Sequence, residues 1–154
     1  MIREAQFNDI QNINNLYLIL FGLMQQYEPD YMKASHQDED FLKSVVAQEN
    51  NLIAFVYEAD NTVKGFAIAQ MQETLPYNCL IPLKCIYLID IVVDENSRGL
   101  GIGKALIDKV KEWGACNGSD YIELKVLTAN KAAIELYERE GLTSFSISMW
   151  MKMK

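Results

Sequence analysis

The feature that most constrains the fold of this chain is a glycine-rich stretch at residues 93–104, with the sequence VDENSRGLGIGK. A nearly uninterrupted apolar run, Ile86 to Val93, precedes it and is typical of a strand covered on both faces. Apolar residues at helical spacing follow it, from Ile102 to Trp113. Glycines at alternate positions let successive backbone N–H groups point into one concavity at the positive end of a helix. The pattern predicts a strand, loop and helix that bind a phosphate group.

Two common phosphate loops do not match this stretch. A Walker loop requires glycine at position 98 and Ser or Thr at 105, where this chain has Arg98 and Ala105. A dinucleotide fingerprint that starts at Gly99 requires glycine at 104, where the chain has Lys104. Arg98 and Lys104 instead supply two positively charged side chains that can contact a phosphate in the loop. A glycine-rich turn that binds nothing stays open as the structural alternative.

The rest of the chain alternates between β-rich runs and amphipathic helical patterns. Apolar residues recur at helical spacing from Ile10 to Met24, and an acidic stretch at 38–40 opens a second helix that ends near Asn50. Asp60–Asn61 separates two β-rich runs and suits the positive φ angles of a hairpin turn. The chain therefore contains both helices and hairpin-connected strands.

The predicted order of elements defines the fold class. Strands are expected at 2–5, 52–58, 63–71, 86–93 and 121–126, and one or two more at 142–151; helices are expected from Asn8 or Asp9, from about 38, after the glycine-rich loop, and at 130–140. This order predicts an α+β fold, an α/β/α sandwich with one mixed sheet between helices. No linker interrupts residues 1–154, so we expect one domain.

Composition narrows the classes of partner. A formal charge of −7 without a basic stripe argues against nucleic acid, and it weakly favours a cationic substrate such as an amine. The longest apolar run, 16–23, is far shorter than the ~20 residues of a membrane span. The charged N-terminus does not resemble a secretory signal, so we expect a cytoplasmic protein. Three cysteines without metal spacing and one histidine predict no metal site and thiols packed mostly in the core.

Two motifs carry a resemblance to a known family. The segment Arg98–Gly103 fits the pattern Gln/Arg-x-x-Gly-x-Gly/Ala, and 130–137 with Gly141–Leu142 forms a second motif at the right distance. On these residues the chain resembles the GNAT superfamily of N-acetyltransferases over nearly its whole length. The resemblance implies a mostly antiparallel mixed sheet flanked by about four helices, and acetyl-CoA as the acetyl donor.

The resemblance also implies the cofactor contacts. Backbone groups of Ile91, Val92 and Val93 are expected to hold the pantetheine arm, with an N–H near Val92 polarising the acetyl carbonyl. Asn130 is expected to hydrogen-bond the cofactor, with helix capping as a second role, and Tyr137 to lie near its sulfur. The pyrophosphate is expected in a cradle formed by Arg98, Gly99, Leu100, Gly101, Ile102, Gly103 and Lys104.

Asp90 and Tyr137 are the candidate catalytic residues. Asp90 is the only charge in its apolar strand and is a candidate base that deprotonates the substrate ammonium. Alternatively, Asp90 is a structural carboxylate or an anchor for the substrate ammonium. Related enzymes often place an acid one residue earlier, where this chain has Ile89. Tyr137 shares a helix side with Asn130, so its phenol is a candidate donor to the leaving thiolate; a core aromatic is the alternative.

These residues predict an N-acetyltransferase that acts on a primary amine by direct attack in a ternary complex. A catalytically silent acyl-CoA-binding domain and a peptide N-acetyltransferase are the alternatives. The acceptor pocket is expected to include Tyr27, Glu28, Tyr31 and Tyr77. A homodimer through the C-terminal strands stays open, and Met149–Trp150–Met151 is interpreted as the last core strand in preference to an exposed interface.

Overall fold

Five strands form one sheet in the computed structural model, which describes residues 1–154. The strands follow one another across the sheet in chain order; the first four are antiparallel and the fifth is parallel to the fourth. This arrangement confirms the predicted mixed, mostly antiparallel sheet with four helices. The strands are β1 (Ile2–Glu4), β2 (Leu52–Ala59), β3 (Thr62–Glu73), β4 (Lys84–Val93) and β5 (Tyr121–Leu124), and the helices are α1 (Ile10–Tyr27), α2 (Glu39–Val46), α3 (Ile102–Cys116) and α4 (Lys131–Arg139).

Helices bury both faces of the central strands. One apolar cluster joins α1 and α2 to the sheet around Tyr17 and Phe66, both of which are fully buried. The other cluster joins α3 to the opposite face around Leu106 and Val110. Burying each large side chain of this kind contributes about 1.5–3 kcal/mol. Because both faces are covered, β4 has the continuous apolar sequence that predicted it.

The turns follow the residues that tolerate positive φ. Asp60 and Asn61 have φ angles of 53° and 58° and close the β2–β3 hairpin, which confirms the predicted turn. Gly118, with φ 75°, follows the end of α3 at the predicted helix stop. Asp9 precedes α1, but its side chain makes no capping bond to that helix. Its carboxylate instead accepts from the Arg3 guanidinium at 2.7 Å.

A β-bulge in β4 decides which helix Asp90 faces. Ile68 of β3 pairs with Asp90, whereas the next residue, Ala69, pairs with Leu88, so Ile89 has no partner. Side chains of a strand alternate between the two faces, and the extra residue shifts that alternation by one. Leu88 therefore belongs to the α3 side of the sheet, while Asp90 contacts α1.

The C-terminal segment differs from the prediction. No strand forms in residues 142–154, and Met149, Trp150 and Met151 are exposed, so their interpretation as a core strand was wrong. The physical reason is that β5 has only four residues and no strand of the chain pairs with its outer edge. Of the three cysteines, Cys85 alone is buried. The prediction that the thiols pack mostly in the core was therefore also wrong. None of the helices combines the length and apolarity needed to cross a bilayer.

Candidate active site

The loop before α3 presents a row of backbone donors. Gly99 and Gly101 have φ angles of 78° and 80°, which glycine adopts without strain, and Gly101 is the N-cap residue of α3. The N–H groups of residues 99–104 donate no hydrogen bond within the protein; the first amide of the helix that does so is Ala105, to Gly101 O at 3.0 Å. Six unpaired donors at a helix N-terminus favour a bound anion.

The two cations of the loop differ in how they are held. The Arg98 Nε donates to Val93 O at 3.3 Å, which fixes the base of the side chain across the loop. Lys104 is exposed, and its Nζ lies 2.8 Å from an Asp108 oxygen and 3.6 Å from Glu140 Oε2. The hydrogen bond to Asp108 is the largest of the effects that raise the pKa of Lys104. An anion in the loop would therefore compete with these carboxylates for Lys104.

An open strand edge lies beside this loop. Pairing between β4 and β5 ends at Leu88 and Leu124, whereas β4 remains paired with β3 as far as Val93. Bonded and non-bonded pairs alternate in an antiparallel ladder, and the Asp94 N–H donates to Lys64 O at 2.7 Å. This register directs the N–H of Val92 toward β3, and those of Ile91 and Val93 toward the open edge.

Glycines let the elements around the loop pack closely. A Cβ on Gly65 of β3 would lie 2.8 Å from Val92 O, so the strands can be this close only at glycine. A Cβ on Gly103 would lie 3.3 Å from Leu136 Cδ2, so Gly103 lets α4 pack closely against the start of α3. The glycine-rich loop and α4 are therefore neighbours, as the two sequence motifs require.

Asp90, which is half-buried, pairs with the fully buried Tyr17. The Tyr17 hydroxyl donates to Asp90 Oδ2 at 2.5 Å, across 73 residues of sequence. Burial raises the pKa of Asp90 to about 6, and the bond from Tyr17 offsets part of that rise. Burial, followed by the charge of Asp90, raises the pKa of Tyr17 well above its usual value. At pH 7 the pair is therefore mostly a carboxylate held by a neutral phenol.

The second motif places Tyr137 within electrostatic range of this carboxylate. Burial, and then the charge of Asp90, raises the pKa of Tyr137 to about 12, so its hydroxyl keeps its proton at neutral pH. Asn130 caps α4, with Oδ1 accepting from the Ala133 N–H at 3.2 Å. The capping alternative for Asn130 is thus observed, and its side-chain NH₂ group makes no hydrogen bond within the protein.

The four predicted acceptor-pocket residues lie at the end of α1 and in the loops that follow α1 and β3. Tyr27 and Glu28 are half-buried at the end of α1, while Tyr31 and Tyr77 are exposed. Tyr27 is ten residues beyond Tyr17, about 15 Å along the helix. No hydrogen bond or ring contact joins any of the four to Asp90 or Tyr137. The ring of Tyr31 instead lies 6.0 Å from that of Trp150.

Sequence reasoning missed Tyr17 as a site residue, because it fits the apolar stripe of α1. A signal was available: a phenol on a buried helix face needs a hydrogen-bond partner, and so does a lone aspartate in an apolar strand. Tyr87 was also missed. Burial, followed by the charges of Asp90 and Glu123, raises the pKa of Tyr87, so Tyr87 lies within electrostatic range of the same carboxylate.

The mixed five-stranded sheet with its four helices is the fold found in acetyltransferases. The chain belongs to the acetyltransferase (GNAT) family, whose family model matches residues 13–142. The predicted family and the predicted class, acyltransferase, are therefore confirmed.

Proteins similar in sequence support membership of this family. A thialysine N-epsilon-acetyltransferase of Sus scrofa is 45% identical over 147 residues, covering 92% of this chain and 82% of its own length. An uncharacterised N-acetyltransferase of Methanocaldococcus jannaschii is 42% identical over 153 residues, covering 99% of this chain. The match spans only 65% of the length of that archaeal relative.

Solved structures share the fold at lower identity. A mutant Bacillus halodurans protein superposes with a TM-score of 0.94 at 21% identity, covering 100% of this chain and 99% of its own. An aminoglycoside N-acetyltransferase crystallised with CoA superposes with a TM-score of 0.75 at 19% identity, covering 100% and 99% of the two chains. At these identities the likeness establishes the fold alone.

Proposed function

We propose that this chain is an acetyl-CoA-dependent N-acetyltransferase that acetylates a small primary amine by direct attack in a ternary complex. The observation that carries the proposal is the row of six unpaired amides at residues 99–104, next to the open edge of β4. Acetyl-CoA has a pyrophosphate, which the free amides can bind, and an amide-containing arm, which the open edge of β4 can pair with.

The loop and the open edge of β4 are proposed to bind successive parts of acetyl-CoA. Amides 99–104 would hold the pyrophosphate, with Arg98 adding charge. The N–H and C=O groups of Ile91 and Val93 would pair with the pantetheine amides as an added strand pairs with a sheet edge. The register favours Ile91 or Val93 over Val92 as the donor to the acetyl oxygen, since the Val92 N–H is directed to β3. The donor supplies an activated thioester; the protein supplies position and hydrogen bonds.

Asp90 is the proposed acceptor of the amine proton. Deprotonating an alkylammonium of pKa near 10.4 at pH 7 costs about 4–5 kcal/mol, so a base close to the nitrogen accelerates attack. Raising the pKa of Asp90 from 3.8 to about 6 makes it a stronger base by about 3 kcal/mol while leaving it ionised at pH 7. The Tyr17 hydroxyl fixes one carboxylate oxygen and leaves the other for the ammonium.

Tyr137 is the proposed hydrogen-bond donor to the departing sulfur. Its pKa of about 12 exceeds that of a free thiol, near 8.5, by about 3.5 units. Complete transfer of the phenol proton would therefore cost about 5 kcal/mol, which makes a hydrogen bond to the sulfur the more favourable role. The neutral amine forms the N–C bond as the C–S bond breaks, and the thiolate leaves as an anion or takes its proton from solvent or from the nitrogen, which carries an excess proton after its attack.

The substrate class follows from charge and from the relatives. The chain carries 21 acidic and 14 basic residues, which favours a cationic acceptor. The named mammalian relative is a thialysine acetyltransferase, so a lysine-like amine on a short aliphatic chain is the first acceptor to test. Tyr27 lies about 15 Å along α1 from Tyr17, so Glu28, with Tyr27 beside it, is the proposed contact for the distant cationic group of a longer acceptor such as a polyamine.

The experiment combines binding with turnover. Calorimetric titration with acetyl-CoA is run beside a thiol-release assay on thialysine, lysine, polyamines, an aminoglycoside and an N-terminal peptide. Binding plus turnover on one small amine supports the proposal. Turnover confined to the peptide favours peptide acetylation, binding without any turnover favours a silent acyl-CoA-binding domain, and failure to bind acetyl-CoA overturns the proposal.

A further inference from the structure

A carboxylate at the end of α4 joins that helix to α3. Glu140 is the C-cap residue of α4, and its side chain is only 10% exposed. Its Oε2 atom lies 3.6 Å from the Lys104 Nζ and 3.6 Å from the Lys111 Nζ. Lys104, Asp108 and Lys111 recur along α3 at the spacing that places residues on one face of a helix. The end of α4 is therefore held to one face of α3 through a single carboxylate.

Apolar burial contributes little to the position of α4. The helix has nine residues, and none of them is fully buried. Isolated helices shorter than about 12–15 residues are marginal in water, and packing of an apolar face supplies most of their stability in proteins. Gly103 lets Leu136 approach the start of α3, and the contacts of Glu140 hold the following turn. The position of α4 therefore depends strongly on polar contacts with α3.

The two lysines hold Glu140 in different ways. The Lys104 Nζ also lies 2.8 Å from Asp108 Oδ2, and Lys104 belongs to the loop proposed to bind the pyrophosphate. The Lys111 Nζ also donates to the backbone oxygen of Glu140 at 3.0 Å, which satisfies a carbonyl at the C-terminal end of α4. A pyrophosphate in the loop would therefore compete for Lys104 and leave Lys111 in place.

The Glu140 carboxylate needs the lysine that remains. Leaving a carboxylate with so little exposure without a cationic partner is strongly destabilising. Tyr137 lies in the same last turn of α4, and its carbonyl accepts from the Glu140 N–H at 3.1 Å. A shift of this turn would therefore move the Tyr137 phenol as well.

We propose that Lys111 is a positioning residue: through Glu140 it holds α4, and with it the Tyr137 hydroxyl, in place while Lys104 binds the donor. This inference rests on the proposed role of Tyr137 at the departing sulfur. Misplacing a reacting group by about 1 Å can lower a rate by up to about a hundredfold, so a contact outside the reacting groups can control the rate. Two lysines on one helix face thus have separate roles: Lys104 contributes to donor binding, and Lys111 to acetyl transfer.

The first experiment compares three methionine variants by single-turnover kinetics and by calorimetric titration with acetyl-CoA. Lys111→Met is expected to slow acetyl transfer about threefold to tenfold and to leave the Kd for acetyl-CoA within about twofold. Lys104→Met is expected to raise that Kd about threefold to tenfold with little change in the transfer rate. Lys109→Met is the matched control, because the Lys109 side chain is 38% exposed, like that of Lys111, but pairs with Glu112 of its own helix. It is expected to change neither quantity.

Two further variants separate positioning from a general loss of stability. Lys111→Arg keeps a cation at the same position and is expected to restore most of the transfer rate. Adding Lys111→Met to Tyr137→Phe is expected to slow transfer by less than about a further twofold, because the effects of residues that act through one another are not additive.

Hydrogen exchange tests the contact without turnover. Amides 137–142 are expected to exchange about threefold to tenfold faster in Lys111→Met than in the unmodified protein or in Lys109→Met. Unchanged exchange, an unchanged transfer rate, an equal loss in Lys109→Met, or additive effects of Lys111→Met and Tyr137→Phe overturns the proposal. If no amine is acetylated, the proposed function fails, whereas faster exchange in Lys111→Met still supports the contact between Lys111 and α4.

Discussion

Replacing Tyr17 by Phe removes one hydroxyl and little else. The ring packs against Phe21 and Phe66, at centroid distances of 5.1 Å and 4.9 Å, and phenylalanine keeps both contacts. What is lost is the 2.5 Å hydrogen bond that Tyr17 donates to Asp90, and that bond lowers the pKa of Asp90. Without it, burial acts unopposed and the pKa of Asp90 rises further above about 6.

The size of the effect follows from the bond. A hydrogen bond to a charged group is worth about 1.5–3 kcal/mol, which corresponds to roughly 1–2 pKa units. The pKa of Asp90 in Tyr17→Phe is then about 7–8, and its ionised fraction at pH 7 falls by about twofold to tenfold. If Asp90 is the base, kcat/KM at pH 7 falls by the same factor and recovers at higher pH.

The assay is a pH profile of kcat/KM for the best acceptor found. Its acid limb is expected to move up by about 1–2 units in Tyr17→Phe. Tyr87→Phe is the matched control, because Tyr87 senses the charge of Asp90 but donates no hydrogen bond to it. An acid limb that stays in place in Tyr17→Phe, or that moves equally in both variants, would refute the reasoning.

Four further changes have defined outcomes. Asp90→Asn is expected to abolish most activity yet raise the free energy of unfolding at pH 7, measured by urea denaturation, by up to about 3 kcal/mol. Because the pKa of Asp90 is raised in the folded state, ionising it destabilises the fold as the pH rises from about 4 to 6. The variant should lack this dependence of stability on pH. Tyr137→Phe is expected to lower kcat about tenfold to a hundredfold with little change in the KM for the amine, and an unchanged kcat would exclude the sulfur contact. Gly101→Ala forces a Cβ onto a φ of 80° and is expected to weaken acetyl-CoA binding in calorimetry while costing about 1–2 kcal/mol of stability. Gly114→Ala would place a Cβ 1.9 Å from Ile86 Cδ1 and is expected to lower stability by about 1–3 kcal/mol, with normal stability contradicting the packing described.

Local rules were sufficient for much of the fold and for the glycine-rich loop. The Asp60–Asn61 turn and the Gly118 helix stop depend on φ preferences that each residue carries with it. The alternating glycines at 99, 101 and 103 likewise specify a loop with accessible amides, whatever the rest of the chain does. These features are encoded within a few residues, so pattern and spacing predicted them.

The Tyr17–Asp90 pair and the C-terminal tail, residues 142–154, were decided by tertiary structure. One unpaired residue, Ile89, turns Asp90 toward α1, and only the packing of that helix brings Tyr17 within 2.5 Å of it. The alternation in 142–151 indicated a strand, but a strand forms only where another backbone supplies its hydrogen bonds. This chain leaves the outer edge of β5 and the tail unpaired with each other. The alternation of apolar residues indicates which conformation a segment favours. Whether that segment pairs as a strand depends on which backbone the long-range packing places beside it.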